Sequence, residues 1–250
     1  MANTPDHEKV RIVAVLGMHR SGTSALAGIL AELGVDLGDA RTESRFQPKG
    51  NNESRAIVKL HDRLLRRNDA SWWEPPTGSI EIPPRIRRKL REVLATFEGP
   101  TIGVKDPRML LVYELWRDLP LIRLGVFRNP VDVTRSLQAR ARARGGEPAE
   151  LLEDARCHAL WSHYNRLLLA EHDRDPFPLL NFDEAESFAQ RAVEALRAHG
   201  IQGSGSPSYF EPHLTTNRTP DWRAQVADEI AALYDELVER SNAQLPASGG

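Results

Sequence analysis

Residues 11–24 read RIVAVLGMHRSGTS, and this stretch decides the fold. Arg11 to Leu16 is a short apolar, β-branched run of the kind found in strands buried on both faces. A glycine-bearing loop follows at once. Leu26, Ile29, Leu30 and Leu33 then recur at helical spacing, and Gly34 stands where a helix would stop. The pattern is strand, loop, helix. In that context the loop amides and the helix N-terminus turn positive dipoles towards an anion. Ser21, Thr23 and Ser24 add hydroxyl donors, and Arg20 adds a full charge.

Outward from this unit the same alternation continues. Residues 41–53 (RTESRFQPKGNNE) are polar and turn-rich and read as an exposed loop. A helix is expected from about Ser54, because Ile57, Leu60, Leu64 and Leu65 share a face. Ser71 to Pro84, rich in proline and aromatics, reads as irregular, and a charged helix is expected from Pro84 to Phe97. Further strands are expected at Thr101 to Val104, Leu121 to Phe127 and Leu179 to Phe182. Asn129 suits an N-cap and Pro130 a first helical position. Helices are expected around Val131–Arg144, Pro148–His172 and Ser187–His199, with a loop at Gly203–Ser208. A last amphipathic helix carries Val226, Ile230, Leu233, Tyr234 and Leu237. Strands alternating with helices imply an α/β fold, a single domain with a mainly parallel sheet flanked by helices. No repeat or linker divides the chain, so one domain is expected over residues 1–250, with its core at about 10–240.

Composition narrows the function classes. A formal net charge of −2 gives no support for a nucleic-acid binder, although arginines cluster between Arg135 and Arg144. Cys157 is the only cysteine, so no internal disulfide can form and a thiolate metal site is not expected. The eight histidines show no paired metal-ligand spacing. The first residues, MANTPDHEKV, lack the layout of a signal peptide, and no apolar run approaches the roughly 20 residues of a membrane span. The expected compartment is the cytoplasm.

Set on the Walker A pattern GxxxxGK[ST], the loop matches Gly17, Gly22 and Ser24 but carries Thr23 where the lysine belongs. That lysine reaches the β- and γ-phosphates of a nucleoside triphosphate, so its replacement points to a donor without those groups. A strand followed by HRSGTS resembles the 5′-phosphosulfate loop of sulfotransferases that use 3′-phosphoadenosine 5′-phosphosulfate (PAPS), where a lysine or arginine takes the place of Arg20. The resemblance implies the sulfotransferase variant of the P-loop NTPase-like fold, PAPS as donor co-substrate, no metal, and a small-molecule, lipid or glycan hydroxyl as acceptor. It implies a donor site of His19, Arg20, Ser21, Gly22, Thr23 and Ser24. FRNPVDVTRSL (127–137) resembles the family's 3′-phosphate element, an arginine at a strand end and a serine eight positions later; the counterparts are Arg128 and Ser136. Alone, Arg128 could equally pair with Asp132, and Ser136 could face solvent.

The KDP of KDPR (105–108) resembles an element of tyrosylprotein sulfotransferases whose lysine stabilises the transferring group, which implies Lys105 and Arg20 as electrophilic stabilisers. A surface lysine followed by an Asp106–Pro107 turn is the plain alternative. KGNNESRAIVKLHDRLL (49–65) is similar to a KGYWE-x-x-x-IV-x-LHDRLL segment of bacterial sulfotransferases, with Asn51 and Asn52 replacing the aromatic pair, and implies Glu53 as general base. Glu53 could also do no more than favour the adjacent helix N-terminus. His61 is the competing base, since histidine titrates near neutrality, although two turns into the expected helix a histidine more often has a structural role. His19 could donate to the donor or pack beside the loop. SWWEPP (71–76) with Trp72 and Trp73, LWSHYN (160–165) with Trp161, Tyr164 and Asn165, and FEPHL (210–214) also echo the family; core packing suits the aromatics. Two other functions stay open: an ATP-dependent P-loop kinase, and a non-catalytic nucleotide-binding protein on the same fold.

Overall fold

The computed structural model describes residues 10–40, 52–144, 149–203 and 219–243. β1 (Arg11–Leu16) pairs in parallel on both sides, with β2 (Thr101–Lys105) and with β3 (Leu121–Phe127). β4 (Leu179–Asn181) extends the sheet from β3, giving the order β2-β1-β3-β4. Because strand side chains alternate between faces, β1 feeds two separate cores. Val13 and Val15 join Leu124, Val126 and Leu180 under α1 (Thr23–Glu32), which contributes Leu26, Ile29 and Leu30. Ile12, Ala14 and Leu16 face the other way into the larger cluster.

That larger layer is built from α2 (Arg55–Arg67), α3 (Pro84–Leu94), α4 (Pro130–Arg144), α5 (Asp154–Arg174) and a later helix, while α6 (Ala185–Ala198) joins α1 on the first face. The later helix is α7 (Asp228–Asn242), which buries Leu233, Tyr234 and Leu237. Both faces of the sheet are therefore covered, as a parallel sheet requires.

Most elements lie where the sequence pattern places them, and the departures have local causes. β2 runs one residue further, to Lys105. β4 stops at Asn181, whose side-chain oxygen and carbonyl accept from the Asp183 and Glu184 amides in a turn. α3 ends at Leu94 rather than Phe97. The expected helix from Pro148 is split: a 3-10 turn at Ala149–Leu152 comes first, and α5 starts only at Asp154. Val226 lies outside the last helix, in extended conformation after a 3-10 turn at Trp222–Gln225. The structure also adds a 3-10 helix at Pro107–Leu115, bent at Val112, for which the sequence offers no periodic signal. It starts because Asp106 caps it: the Arg108 amide donates to Asp106 Oδ1 at 3.1 Å, and Pro107 holds the first position.

This topology fixes where a ligand would sit. From β1 the chain crosses to β2 on one side, and from β3 it crosses to β4 on the other. The carboxyl ends of β1 and β3 thus form the switch point of the sheet, where α/β proteins bind ligands. The loop at residues 17–22 leaves from one of these ends and Arg128–Asn129 from the other.

Two glycines make the loop fit there. Gly17 has φ +153°, and a Cβ on it would stand 2.4 Å from the Val126 carbonyl oxygen. Gly22 has φ +97°, and a Cβ would stand 2.2 Å from the Phe182 ring. Gly34, by contrast, has φ +79° with open space around it. Gly34→Ala should therefore lose only the left-handed backbone preference, about 1 kcal/mol. Gly22→Ala adds a clash and should cost clearly more in urea denaturation. Equal losses would show that the Phe182 contact yields freely.

Candidate active site

The loop is held in a conformation that a turn alone would not demand. Arg20 sits at φ 69°, a left-handed position costly for a residue with a side chain. α1 opens on Gly22 with no side-chain cap and no acidic residue in its first turn, so its leading amides lack the usual local compensation. His19 Nε2 and Ser21 Oγ are buried and find no hydrogen-bond partner among the described residues. Orphaned buried polar atoms are uncommon, and two belong to this one loop.

Across the switch point, Arg20 Nε donates to Ser136 Oγ at 2.7 Å. Ser136 is buried on α4, so this bond joins the β1 loop directly to the element that follows β3. Arg128 is buried too. It bonds Asp132 at 3.1 Å, approaches Asp183 at 3.8 Å and lies over the Phe182 ring. The pairing with Asp132 that the sequence left open is thus present, alongside Ser136 facing the loop rather than solvent. Asn129 caps α4, accepting from the Asp132 amide at 2.9 Å, while its own side-chain amide donates to Asp132 and Asp183. Thr219 donates to the same Asp132 at 2.6 Å. Trp161 supports this strand end by donating to the Arg128 carbonyl at 2.9 Å.

The third group lies at the end of β2. Lys105 is buried, not a surface lysine, and donates to Glu53 at 2.5 Å. Their side chains are 4% and 18% exposed, so the pair is largely shielded from water yet Glu53 keeps an open edge. Asn52 holds the segment in place by donating to the Ser24 carbonyl at 3.3 Å. Ser54 caps α2, which starts where expected, and also donates to Asp39 at 2.5 Å. The start of α2 is therefore fastened to the first turn of α1 through Asn52 and to Asp39 through Ser54.

His61 is not available as a base. Trp116 Nε1 donates to its Nε2 at 2.9 Å and its Nδ1 lies 2.8 Å from Asp106, with both His61 and Asp106 fully buried. Both ring nitrogens are engaged. Trp72, Trp161, Tyr164 and Asn165 are core residues; the Tyr164 hydroxyl donates to the Trp72 carbonyl at 3.0 Å. Trp73 is half-buried, with its carbonyl accepting from Arg156. Most of the 41–53 loop, including Asn51, and the FEPHL segment with its following residues lie outside the described residues.

Sequence reasoning missed two arginines. Arg108, the last residue of KDPR, bonds Asp106 at 2.9 Å and stands 2.7 Å from Asp62. Burial works against its charge, but Asp106, Asp62 and Glu53 more than offset that and raise its pKa. Burial likewise pushes the Asp106 carboxyl up, yet Arg108 and His61 overcome it and hold it far below the usual carboxylate range. Arg140 stacks over Trp72 at 5.1 Å, while His19 packs on the same ring at 4.4 Å. The available signal was spacing: Arg140 follows Ser136 by one helical turn on α4.

The fold and site together define a parallel α/β protein with cationic and hydroxyl side chains gathered at the switch point of its sheet. Neither family models nor curated proteins match the chain. Among solved structures it is similar to the sulfotransferase domain of the Synechococcus PCC 7002 olefin synthase, at 14% identity and a TM-score of 0.47 over 100% of this chain and 94% of that one. Sulfotransferase STF9 from Mycobacterium avium aligns at 15% identity and a TM-score of 0.47, over 97% and 79% of the two chains. Retinol dehydratase, in complex with androsterone and the inactive cofactor PAP, aligns at 12% and 0.32 over 95% and 82%. At these scores the likeness carries no weight of its own. Among the described residues, no helix is long and apolar enough to cross a membrane, and no group of three or more His, Cys, Asp or Glu is placed to hold a metal ion.

Burial lowers the His19 pKa well below its usual value, and Arg108, Arg140 and Lys105 push the same way against Asp106. His158, His163 and His172 are also lowered, chiefly by burial. A histidine that resists protonation in the fold gains a proton only on unfolding, so the unfolded state binds more protons below about pH 6.5. Stability should therefore fall as pH drops from 6.5 towards 5. Urea denaturation of His19→Asn across that range should show a shallower fall than the parent; an unchanged slope would contradict the burial argument.

Proposed function

We propose that this chain is a sulfotransferase that moves a sulfuryl group from PAPS to the hydroxyl of a small-molecule or glycan acceptor. The observation that carries this reading is the Arg20–Ser136 hydrogen bond. It brings the β1 loop and the α4 element into contact, and an adenosine ligand with anions on both its 3′ and 5′ positions is suited to such neighbouring sites. The orphaned His19 Nε2 and Ser21 Oγ fit the reading as donors awaiting anionic oxygens.

The donor supplies a phosphosulfate anhydride whose S–O bond is cleaved. This chain's residues do the rest. Glu53 takes the proton of the acceptor hydroxyl as that oxygen bonds sulfur. Lys105, 2.5 Å from Glu53, is placed to neutralise the transferring group beside the base. Arg20 and the leading amides of α1 meet the charge that accumulates on the departing phosphate oxygen. Arg128, on the α4 side, is the cation for the 3′-phosphate, with Asp132 and Asp183 keeping its guanidinium oriented. Glu53 and Lys105 are held in register by the same α2–β2 contact, so base and electrophile approach the acceptor together.

The kinase alternative has less support. Thr23 stands in the lysine position of the loop. Asp106, the carboxylate at the end of β2 that could have met a nucleotide-bound magnesium ion, is fully buried and committed to Arg108 and His61. Titration calorimetry separates the two readings. Adenosine 3′,5′-bisphosphate should bind without magnesium and at least about tenfold more tightly than ATP, a difference of about 1.4 kcal/mol; the reverse order would end the sulfotransferase assignment.

A second measurement addresses the base. Glu53→Gln should lower turnover by about 10²–10⁴-fold, the usual worth of general-base catalysis. The bisphosphate affinity of this variant should stay close to that of the parent. A matching loss of affinity would make Glu53 a binding residue instead.

A further inference from the structure

α2 meets the end of β2 and the 3-10 helix after it through a row of polar links, the middle one wholly shielded from solvent. Lys105 bonds Glu53 at 2.5 Å, Asp106 bonds His61 at 2.8 Å, and Arg108 bonds Asp106 at 2.9 Å while standing 2.7 Å from Asp62. Three residues of KDPR thus face three residues in or just before α2. The proposed chemistry uses the first pair only. The middle pair is the most buried, with neither side chain exposed at all.

A carboxylate and an imidazole in a dry core are costly, and apolar residues of similar volume would serve packing as well or better. The imidazole is also locked. An indole N–H can only donate, so His61 Nε2 must accept from Trp116, and the proton of a neutral ring must sit on Nδ1, facing Asp106. The Trp116 ring meets His61 edge-on at 5.6 Å, which closes the remaining space.

We propose that His61 is a positioning residue: the row Trp116–His61–Asp106 registers α2 on β2 and so sets Glu53 against Lys105. Besides the polar ties of Asn52 and Ser54 at its start and of Asp62 to Arg108, α2 buries the apolar side chains Ile57, Leu60, Leu64 and Leu65. Apolar burial holds two elements together but is non-directional, whereas a hydrogen bond to a ring with a fixed tautomer specifies axial position. Glu53 precedes the first residue of α2 by two positions, so a slide of the helix carries the carboxylate with it. An ångström of misplacement is enough to cost a reaction about a hundredfold.

The inference rests on the sulfuryl-transfer reading for its catalytic consequence and on the Lys105–Glu53 bond for its structural one, and the test reads each separately. His61→Asn keeps an N–H donor near the position of Nδ1, whereas His61→Phe keeps a ring and removes both nitrogens. Proton exchange of the Lys105 ammonium, followed by ¹⁵N NMR and assigned with Lys105→Met, reports the bond to Glu53; turnover and bisphosphate affinity report the site. His61→Asn should keep the slowly exchanging ammonium and most of the turnover. His61→Phe should lose the slow exchange and about tenfold or more in kcat at unchanged bisphosphate affinity.

An intact ammonium signal and intact turnover in folded His61→Phe would overturn the proposal. So would equal losses in both variants that track a fall in Tm. Should His61→Phe fail to fold, Trp116→Phe releases the tautomer while leaving Asp106 its partner, and faster Lys105 exchange is expected; unchanged exchange there also overturns the proposal. A parent protein without sulfuryl transfer, but with the expected Lys105 responses, would sink the functional reading and leave the positioning role standing.

Discussion

Arg20 can reach Ser136 only because β1 and β3 are hydrogen-bonded neighbours running the same way. Parallel pairing puts both carboxyl ends at one edge of the sheet, so the loop after β1 and the helix after β3 start side by side. Everything polar in the site hangs from that constraint. The loop must turn sharply against the backbone of β3, which only glycine at position 17 allows without a clash on the Val126 carbonyl. It must then enter α1 past the Phe182 ring, which only glycine at position 22 allows without a second clash. The same close approach places Arg20 in a left-handed conformation, and its bond to Ser136 offsets part of that strain.

β2, on the other side of β1, brings the remaining chemistry to the same edge. Lys105 closes β2 opposite Val15, one residue short of the end of β1. Its partner Glu53 arrives from a different part of the chain, carried by α2 and by the polar contacts of Asn52 and Ser54. The buried charges around it are organised in alternation, with Lys105 and Arg108 each answered by a carboxylate and Asp106 shared between Arg108 and His61. Such an array is stable only while every member keeps its partner.

A large part of the fold was legible because its signals are local. The β-branched runs of β1 and β3, the glycines at positions 17, 22 and 34, and Asn129–Pro130 before α4 each act through neighbours a few residues away. The elements after β1 and β3 were legible for the same reason, since each is a strand end followed by a helix start. The 3-10 helix after KDPR was not legible, because MLLV is apolar on every side and shows no period. The sequence left His61 between a structural role and a base, because a histidine within a helical pattern looks the same in sequence whether its nitrogens meet water or a buried carboxylate and an indole.

What the sequence by itself determined is the kind of sheet, the location of the glycine-bearing loop after its first strand and the list of residue types able to do chemistry, because backbone propensity and helix-end dipoles are short-range properties. Only the tertiary structure decided which of these residues meet. The Arg20–Ser136, Lys105–Glu53 and His61–Asp106 contacts span 116, 52 and 45 residues of chain. Contacts at such separations depend on strand order and on burial, which sum over the whole core and are written in no single segment.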